Sequence, residues 1–373
     1  MESKRKYEPT PEDFAKAEAC MTDEQRETTE IRVANLEQVR PIWEESFEDR
    51  SIDSETKRRK PPTPEEIKMM DSTLEELAGL FKDSKVRWIL DGAMNISLLS
   101  RKYIGAHKDT DISIEKDDVE LLEQELFENG YGLFLSTEEN SSHIMRRVGA
   151  HDFAKANPSH LMIVAIDKNG KIHDDVNLNF IDVHIVARNS EGQAISKNGT
   201  VLPEKWMEPI KMKLGDKSIN VSHPARVAYY KMLMEREYDF TDLDRLAETG
   251  SLTADDVDEI SVVFQSDFNL GIEKGEKDMA VVFSKMEPGM TADQVFEIFL
   301  SIPAIAERIN PESESTYRNI AEVYVGYYEN NDDRSASGML KALLEHYGIY
   351  EREADRQEKI ANLKRAVQSV IKK

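Results

Sequence analysis

The sequence predicts an α+β fold, in which a small mixed β-sheet is backed by helices and followed by an all-α region. Three observations predict it. Short apolar runs alternate with amphipathic stretches between residues 63 and 222, whereas the chain after residue 222 is almost entirely of helical periodicity. The first 62 residues are polar and carry helix start signals. We therefore expect a helical N-terminal extension with a linker (1–62), a core domain (63–222) and a helical C-terminal domain (223–373).

The N-terminal part predicts two helices that are separated by a linker. Thr10-Pro11 and Thr63-Pro64 each combine an N-cap residue with proline at the first helical position. The stretch 54–62 ends in Pro-Pro and is typical of a linker. The second helix should run to residue 81. Its expected apolar face consists of Met69, Leu74, Leu77, Leu80 and Phe81.

The central part alternates strands and helices. Asn169-Gly170 is a strong hairpin signal between two strands, and Gly130 is a typical end for the helix that precedes it. Strands are expected at 86–90, 109–114, 131–135, 160–166 and 176–187, and helices at 93–101 and 118–129.

The C-terminal part predicts a helix bundle. Thr291 and Gln294 form a capping box before an apolar run at 295–300. The apolar stripes are interpreted as bundle core. Further helices are expected at 312–328, 335–347 and 351–373.

Composition and charge limit the classes of function. The chain has 373 residues and a formal net charge of −23, which argues against extensive binding to nucleic acid and favours cationic acceptors. No apolar run approaches the roughly 20 residues of a membrane span, and no signal peptide follows Met1. A single cysteine, Cys20, fits a reducing compartment. We therefore expect a cytoplasmic protein without a membrane partner; the sequence gives no oligomeric state.

The most informative pattern combines a glycine turn with a pair of aspartates. Gly92-Ala93 separates an apolar strand from a helix, whose first backbone N–H groups are free to bind phosphate. Asp109 and Asp111 follow on a second strand, where i, i+2 spacing places both carboxylates on one face about 7 Å apart. Two such oxygen ligands can share a Mg²⁺ with a nucleotide's phosphates. The same spacing at Asp242 and Asp244 lies in a predicted helix, where the two side chains diverge.

A third aspartate lies in the apolar strand at 176–187. Taken alone, Asp182 is interpreted as an exposed strand residue. Behind a strand that carries two paired aspartates, it fits a two-metal site, as a further metal ligand or as the group that takes the proton from an attacking hydroxyl.

These residues resemble a known family. Gly92-Ala93, His107-Lys108-Asp109-x-Asp111 and Ile-Asp182-Val-His are similar to motifs of the nucleotidyltransferase superfamily of the DNA polymerase β type. The most similar branch contains the aminoglycoside and lincosamide nucleotidyltransferases, with the abortive-infection nucleotidyltransferase toxins nearby. The helix around Lys231 and the run after it also fit, so the resemblance covers about residues 70–250. Ala93 departs from the family, which has Gly or Ser there.

The resemblance implies a Mg²⁺-dependent enzyme that transfers NMP from an NTP, such as ATP, to an acceptor hydroxyl with release of pyrophosphate. Asp109, Asp111 and Asp182 would be the catalytic and metal-binding residues. The acceptor would be a small molecule, as in antibiotic resistance. Nucleotide binding is expected from Gly92, Ala93, His107, Lys108 and Lys231.

Several alternatives remain at this stage. His107 fits a fold-stabilising hydrogen bond equally well, and Lys231 fits a solvated lysine. A toxin-type enzyme with an RNA acceptor would use the basic run 57–60. A catalytically degenerate binding protein of the same fold is the third possibility, for which Ala93 is the best clue.

Overall fold

The fold is taken from a computed structural model of the chain. It describes residues 33–35, 53, 55, 58–107, 109–139, 142–147, 160–166, 181–214, 217–234, 236–306, 308–309, 313–331 and 335–371. The predictions that lie outside these residues concern the helix after Thr10, Cys20, Lys108 and the Asn169-Gly170 hairpin.

Nine strands form one sheet in the described part of the chain, in the order β1-β5-β4-β6-β7-β3-β2-β9-β8. Strand β3 is parallel to β7, β2 is parallel to β9, and the other pairs are antiparallel, so the sheet is mixed, as predicted. The strands are β1 Val33–Asn35, β2 Trp88–Leu90, β3 Thr110–Glu115, β4 Tyr131–Glu139, β5 Ser142–Arg147, β6 His160–Ala165, β7 Ile181–Val186, β8 Ile210–Leu214 and β9 Lys217–Val221.

Eleven α-helices accompany the sheet among the described residues. Three lie within the sheet-forming region and eight follow it. The helices are α1 Pro64–Leu80, α2 Gly92–Ser100, α3 Val119–Glu128, α4 Pro224–Met234, α5 Glu237–Glu248, α6 Ala254–Phe283, α7 Ala292–Leu300, α8 Pro303–Ala306, α9 Glu314–Asn330, α10 Ala336–His346 and α11 Ile349–Ile371. The predicted fold class is therefore confirmed for the sheet and for the all-α C-terminal region.

Helix α1 begins at the predicted capping box. The Glu66 N–H donates to the Thr63 hydroxyl at 3.3 Å, and the Thr63 N–H donates back to the Glu66 carboxylate at 2.7 Å. Leu74 and Leu77 are buried on its inner face, as predicted. Met70, rather than Met69, is the buried methionine, because i, i+4, i+7 spacing places residues 70, 74 and 77 on one side.

The hairpin formed by β8 and β9 was missed by the sequence prediction. Its signal is present, since Lys211 and Lys213 are exposed and alternate with half-buried Ile210, Met212 and Leu214. Such alternation is typical of a strand with one solvated face. The hairpin extends the sheet beyond β2.

Three apolar clusters organise the packing. The first joins one face of the sheet to α1 and α3. The second joins α4, α5, α11 and the first half of α6. The third joins the second half of α6 to α7, α8, α9 and α10. Helix α6, with 30 residues, takes part in both helical clusters.

The change from strands to helices falls at a single point. Strand β9 ends at Val221, and α4 begins at Pro224. This is where we placed the boundary between the core and C-terminal domains; the three-domain division itself stays a prediction. Within the described residues, we find no helix whose length and apolar character would allow it to cross a membrane.

Candidate active site

Two predicted site residues lie side by side on neighbouring parallel strands. Asp111 of β3 is the register partner of Asp182 of β7. Residues that are paired in this way point to the same face of a sheet. The opposite face of both strands carries core residues such as Ile112 and Val183, which are fully buried. The structure thus brings Asp111 and Asp182 together on the face that does not pack against α1 and α3.

The Gly92 turn lies directly against Asp111. The Asp91 N–H donates to the Asp111 carbonyl at 2.8 Å, and α2 begins at the next residue. Gly92 has a φ of 65°, and a Cβ added to it would lie 1.8 Å from Oδ2 of Asp111. Only glycine therefore allows the carboxylate to approach the first turn of α2, where backbone N–H groups are free.

Ala93 has an unstrained backbone conformation. Among the described non-glycine residues, only Arg101 has a positive φ, so Ala93 adopts an ordinary helical conformation. Gly92 alone takes the left-handed conformation in this turn. Relative to a serine at this position, Ala93 lacks a hydroxyl group. It imposes no backbone strain.

Each of the two carboxylates has a histidine beside it. Nε2 of His184 lies 3.4 Å from Oδ1 of Asp111, and Nε2 of His160 lies 3.6 Å from Oδ1 of Asp182. His160 and His184 are register partners on β6 and β7, with ring centroids 5.3 Å apart. Sequence reasoning did not assign either histidine to the site. For His184 the signal was its i, i+2 spacing from Asp182, which places both on one face.

The three aspartates differ in their electrostatic environment. Asp109 is exposed to solvent at the site. The pKa of its carboxyl group is nevertheless raised to about 7. The largest cause is partial desolvation, and the next is repulsion from Asp111 and Asp182. Burial opposes ionisation of Asp111 as well, but the hydrogen bond and charge of His184 outweigh it. The pKa of Asp111 is lowered to about 2.

Three buried polar side chains, those of Arg226, Ser113 and Asp91, interact beside β3. Arg226 of α4 donates to the Ser113 hydroxyl at 2.6 Å and lies 3.4 Å from Oδ2 of Asp91. The Ser113 hydroxyl also donates to Asp91. Arg226 is 2% exposed. This group fixes β3, the residue before Gly92 and the start of α4 relative to one another.

Lys231 lies in a buried network of ion pairs. Its Nζ is 2.9 Å from Oδ1 of Asp239 and 2.8 Å from Oδ2 of Asp242. Arg59 bonds to both oxygens of Asp242 at 2.7 and 2.9 Å, and Arg236 bonds to Asp239. The side chain of Lys231 is 8% exposed, so the solvated-lysine interpretation is wrong. Its contact with a triphosphate stays a prediction.

His107 lies inside the protein. It is 7% exposed, and its backbone N–H donates to Sδ of Met70 at 3.4 Å. Burial, followed by the charge of Arg59, lowers the pKa of its imidazole to about 3, so the ring is neutral. Nε2 has no partner among the described residues. The expected phosphate contact would therefore have to be made by a buried, uncharged ring.

The residues of the site fit a divalent cation by their chemistry. Among the described residues, no three His, Cys, Asp or Glu side chains are already arranged to hold a metal ion. Asp111 and Asp182 nevertheless provide adjacent hard oxygen donors, which are the ligands that Mg²⁺ takes in proteins. The mutual repulsion that raises the pKa of Asp109 is what a bound cation would relieve.

A groove of about 740 Å³ lies away from the aspartates, at the C-terminal ends of α2 and α5 beside β8. Arg101, Lys102, Ile210 and Met212 are among the residues that line it. None of the three aspartates lines it.

Part of the chain matches the model of a known family. Residues 73–175 match the family model described as aminoglycoside-2''-adenylyltransferase. This segment includes Gly92, Asp109 and Asp111 but ends before Asp182. A search among curated proteins gave no match.

Several solved structures are similar to the chain at low identity. The lincosamide antibiotic adenylyltransferase LnuA with lincomycin bound is 19% identical, with 50% of this chain and 98% of that chain covered and a TM-score of 0.31. The antibiotic-resistance factor ANT(2'')-Ia in solution is 12% identical, with 54% and 94% covered and a TM-score of 0.35. An antigenic nucleotidyltransferase-like protein from Paracoccidioides brasiliensis is 10% identical, with 56% and 89% covered and a TM-score of 0.30. The resemblance that the motifs indicated is thus confirmed by the family model, which matches residues 73–175.

Proposed function

We propose that this protein is a Mg²⁺-dependent nucleotidyltransferase, which moves NMP from an NTP to the hydroxyl of a small acceptor and releases pyrophosphate. The observation that carries the proposal is the register of Asp111 with Asp182, directly beside the Gly92 turn. It combines two carboxylates on one sheet face with a helix N-terminus. These are the two elements that phosphoryl transfer needs: a cation site and a phosphate site.

The residues of the site have different tasks in this reaction. Backbone N–H groups at Gly92 and Ala93 bind the triphosphate, aided by the positive end of α2. Asp109, Asp111 and Asp182 would hold the metal, which would supply charge neutralisation at the phosphates. Asp182 also takes the proton of the acceptor hydroxyl. His184 holds the Asp111 carboxylate in position through its 3.4 Å contact.

The acceptor is proposed to be a cationic small molecule with a free hydroxyl group. The matched family acts on aminoglycosides by its description, and the formal charge of −23 attracts cations at long range. The RNA alternative relied on the basic run 57–60. Arg59 of this run is paired with Asp242 in the interior, which withdraws it from any RNA surface. The degenerate-fold alternative relied on Ala93, which is unstrained.

Replacement of Asp111 by Asn tests the proposal. Purified protein is incubated with Mg²⁺, each labelled NTP and a panel of aminoglycoside, lincosamide and RNA acceptors, and pyrophosphate release is measured. Loss of the Asp111 charge should lower turnover at least about a hundredfold, since roughly 3 kcal/mol of transition-state stabilisation is removed. Asp244→Asn is the matched control: it belongs to the exposed half of the helical D-x-D pair and should leave turnover unchanged.

The stability of the Asp111→Asn variant has to be measured in parallel. Loss of one charge relieves repulsion between the neighbouring acids. The structure shows the opposite balance at this position, because the neighbouring His184 favours the ionised carboxylate. A modest loss of stability is therefore expected. Turnover that is equal in the wild type and Asp111→Asn, in samples of equal folded fraction, contradicts the metal-binding role.

A further inference from the structure

An exposed apolar ridge lies on α4 beside the candidate active site. It consists of Tyr230, Leu233 and Met234, which are 42%, 37% and 61% exposed. Large apolar side chains are normally exposed singly, so three within five residues of one helix are unusual. The positions i, i+3 and i+4 place all three on one side of α4.

The ridge continues the helix face that contacts the active-site strand. Arg226, one turn before Tyr230, donates to the Ser113 hydroxyl at 2.6 Å and lies near Asp91. Ser113 is two residues from Asp111 on the same face of β3. The guanidinium of Arg226 is 5.8 Å from the centre of the Tyr230 ring. Tyr230 thus stands one helical turn, about 6 Å, beyond a contact in the site itself.

The Tyr230 ring is held in place. Its neighbour Tyr229 is 1% exposed and packs against Trp206 and Phe264 in the core. The edge of one ring meets the face of the other between Tyr229 and Tyr230, with centroids 5.2 Å apart and planes at 74°. A rigid, partly exposed aromatic ring is a ready surface for a planar ligand, because little side-chain entropy is lost on binding.

We propose that Tyr230 is the stacking surface for the base of the NTP, with Met234 extending that surface by one turn. The inference rests on the proposed nucleotide transfer, in which the triphosphate binds at Gly92. The base is the planar group of the nucleotide, and Tyr230 lies one turn of α4 beyond Arg226, which is 3.4 Å from Asp91, the residue before Gly92. Stacking requires no particular hydrogen-bond pattern, so the larger purines should bind more tightly than pyrimidines.

The test compares ligands with and without a base. Wild type, Tyr230→Ala and Tyr230→Phe are titrated calorimetrically with Mg²⁺ and ATP, CTP or inorganic tripolyphosphate. We expect Tyr230→Ala to bind ATP about tenfold or more weakly, to lose less affinity for CTP, and to bind tripolyphosphate as the wild type does. Tyr230→Phe keeps the ring and should stay within about twofold of the wild type for ATP. Val262→Ala, at a 68% exposed position on α6, is the surface control and should change nothing.

Two other outcomes overturn the inference. If the wild type binds ATP and Tyr230→Ala binds it equally well, the ring does not contact the base. If Tyr230→Ala weakens ATP and tripolyphosphate by the same factor, Tyr230 acts only by supporting Arg226 and the phosphate site. A wild-type protein with no affinity for any NTP overturns the proposed function as well, which separates the two failures.

Discussion

Gly92 and the Asp111 carboxylate occupy space that no side chain at position 92 could share. Gly92→Ala would place a methyl group 1.8 Å from Oδ2 and would also strain a residue whose φ is 65°. Asp111 has to move, and a misplacement of about 1 Å in a catalytic group costs about a hundredfold in rate. We expect a loss of that size in NTP turnover, measured by pyrophosphate release.

Gly192→Ala provides the matched control for this substitution. Gly192 also has a positive φ, of 80°, but nothing lies within 4 Å of an added Cβ. Both variants therefore carry the conformational penalty, of roughly 1–2 kcal/mol, and only Gly92→Ala carries the collision. Similar turnover in the two variants would show that backbone strain, and not the position of Asp111, explains the loss.

His107 gives a prediction about stability and pH. Its folded-state pKa, about 3, lies below the unfolded value of 6.5, so the unfolded chain binds the proton more readily. The stabilisation is present above pH 6.5 and is lost as the pH falls towards 3. Between pH 7 and pH 5 this single group should lower the free energy of unfolding by about 2 kcal/mol. Urea denaturation of the wild type and of His107→Gln measures it.

The comparison concerns the slope with pH and not the stability itself. His107→Gln alters packing and should lower stability at every pH, but it carries no titrating group at this position. Its free energy of unfolding should therefore fall less between pH 7 and pH 5 than that of the wild type. If the free energies of unfolding of the two proteins fall equally with pH, folding does not lower the pKa of His107.

At the residue scale, the sequence was informative where spacing along one strand was sufficient. Asp111 and Asp182 could be selected because periodicity places each carboxylate on a known face of its strand. Gly92 could be selected because it separates a strand from a helix. The partners His160 and Arg226 could not be selected in this way. Their contacts depend on the register between strands and on the path of α4 across the sheet, and neither is encoded in a local pattern.

The helical D-x-D pair on α5 yields an element-scale prediction. Asp242 is fully buried and binds Arg59 and Lys231, whereas Asp244 is exposed. Asp242→Asn leaves the buried Arg59 without its counter-charge and Lys231 with Asp239 alone, and it should lower the free energy of unfolding by roughly 3–5 kcal/mol. Asp244→Asn should change it by less than about 0.5 kcal/mol. Chemical denaturation of both variants compares the two faces of one helix; equal losses would contradict the buried network.

Elements were predicted well where the hydrophobic period and a cap agreed. Helix α1 and helix α7 both begin at the capping boxes that the sequence shows, at Thr63 and Thr291. Strand β5 has no such support: it is polar, with Ser142, His143 and Arg146 among its six residues. It forms by pairing with β4, and hydrogen bonds between backbone groups cannot be inferred from amino-acid composition.

At the scale of the whole molecule, the two helical clusters should respond differently to loss of core volume. Met339 lies in the cluster of α6 to α10, and Leu246 lies on α5, next to the network that holds Lys231; both are fully buried. Either change to Ala should cost about 2–5 kcal/mol. We expect Met339→Ala to accelerate hydrogen exchange in α9 and α10 with turnover within about twofold of wild type.

Leu246→Ala is the counterpart in the cluster that adjoins the site. Because α5 carries Asp239 and Asp242, loosening it should disturb Lys231 and lower turnover together with stability. Hydrogen exchange and pyrophosphate release are measured on the same samples. If Met339→Ala impairs turnover as strongly as Leu246→Ala, the distal helices take a direct part in the reaction.

The ion pair between Arg59 and Asp242 has a consequence for the order in which the protein can be completed during synthesis. Its two partners are 183 residues apart, so the chain has produced β3 and β7 long before Asp242 emerges. Until then, the acids on the sheet lack the cations of α4 and the turn after it. A fragment cut at the strand-to-helix change would retain the strands but not this balance of charge. We therefore expect the region before Pro224 to reach its native state only when the helices that follow have been made.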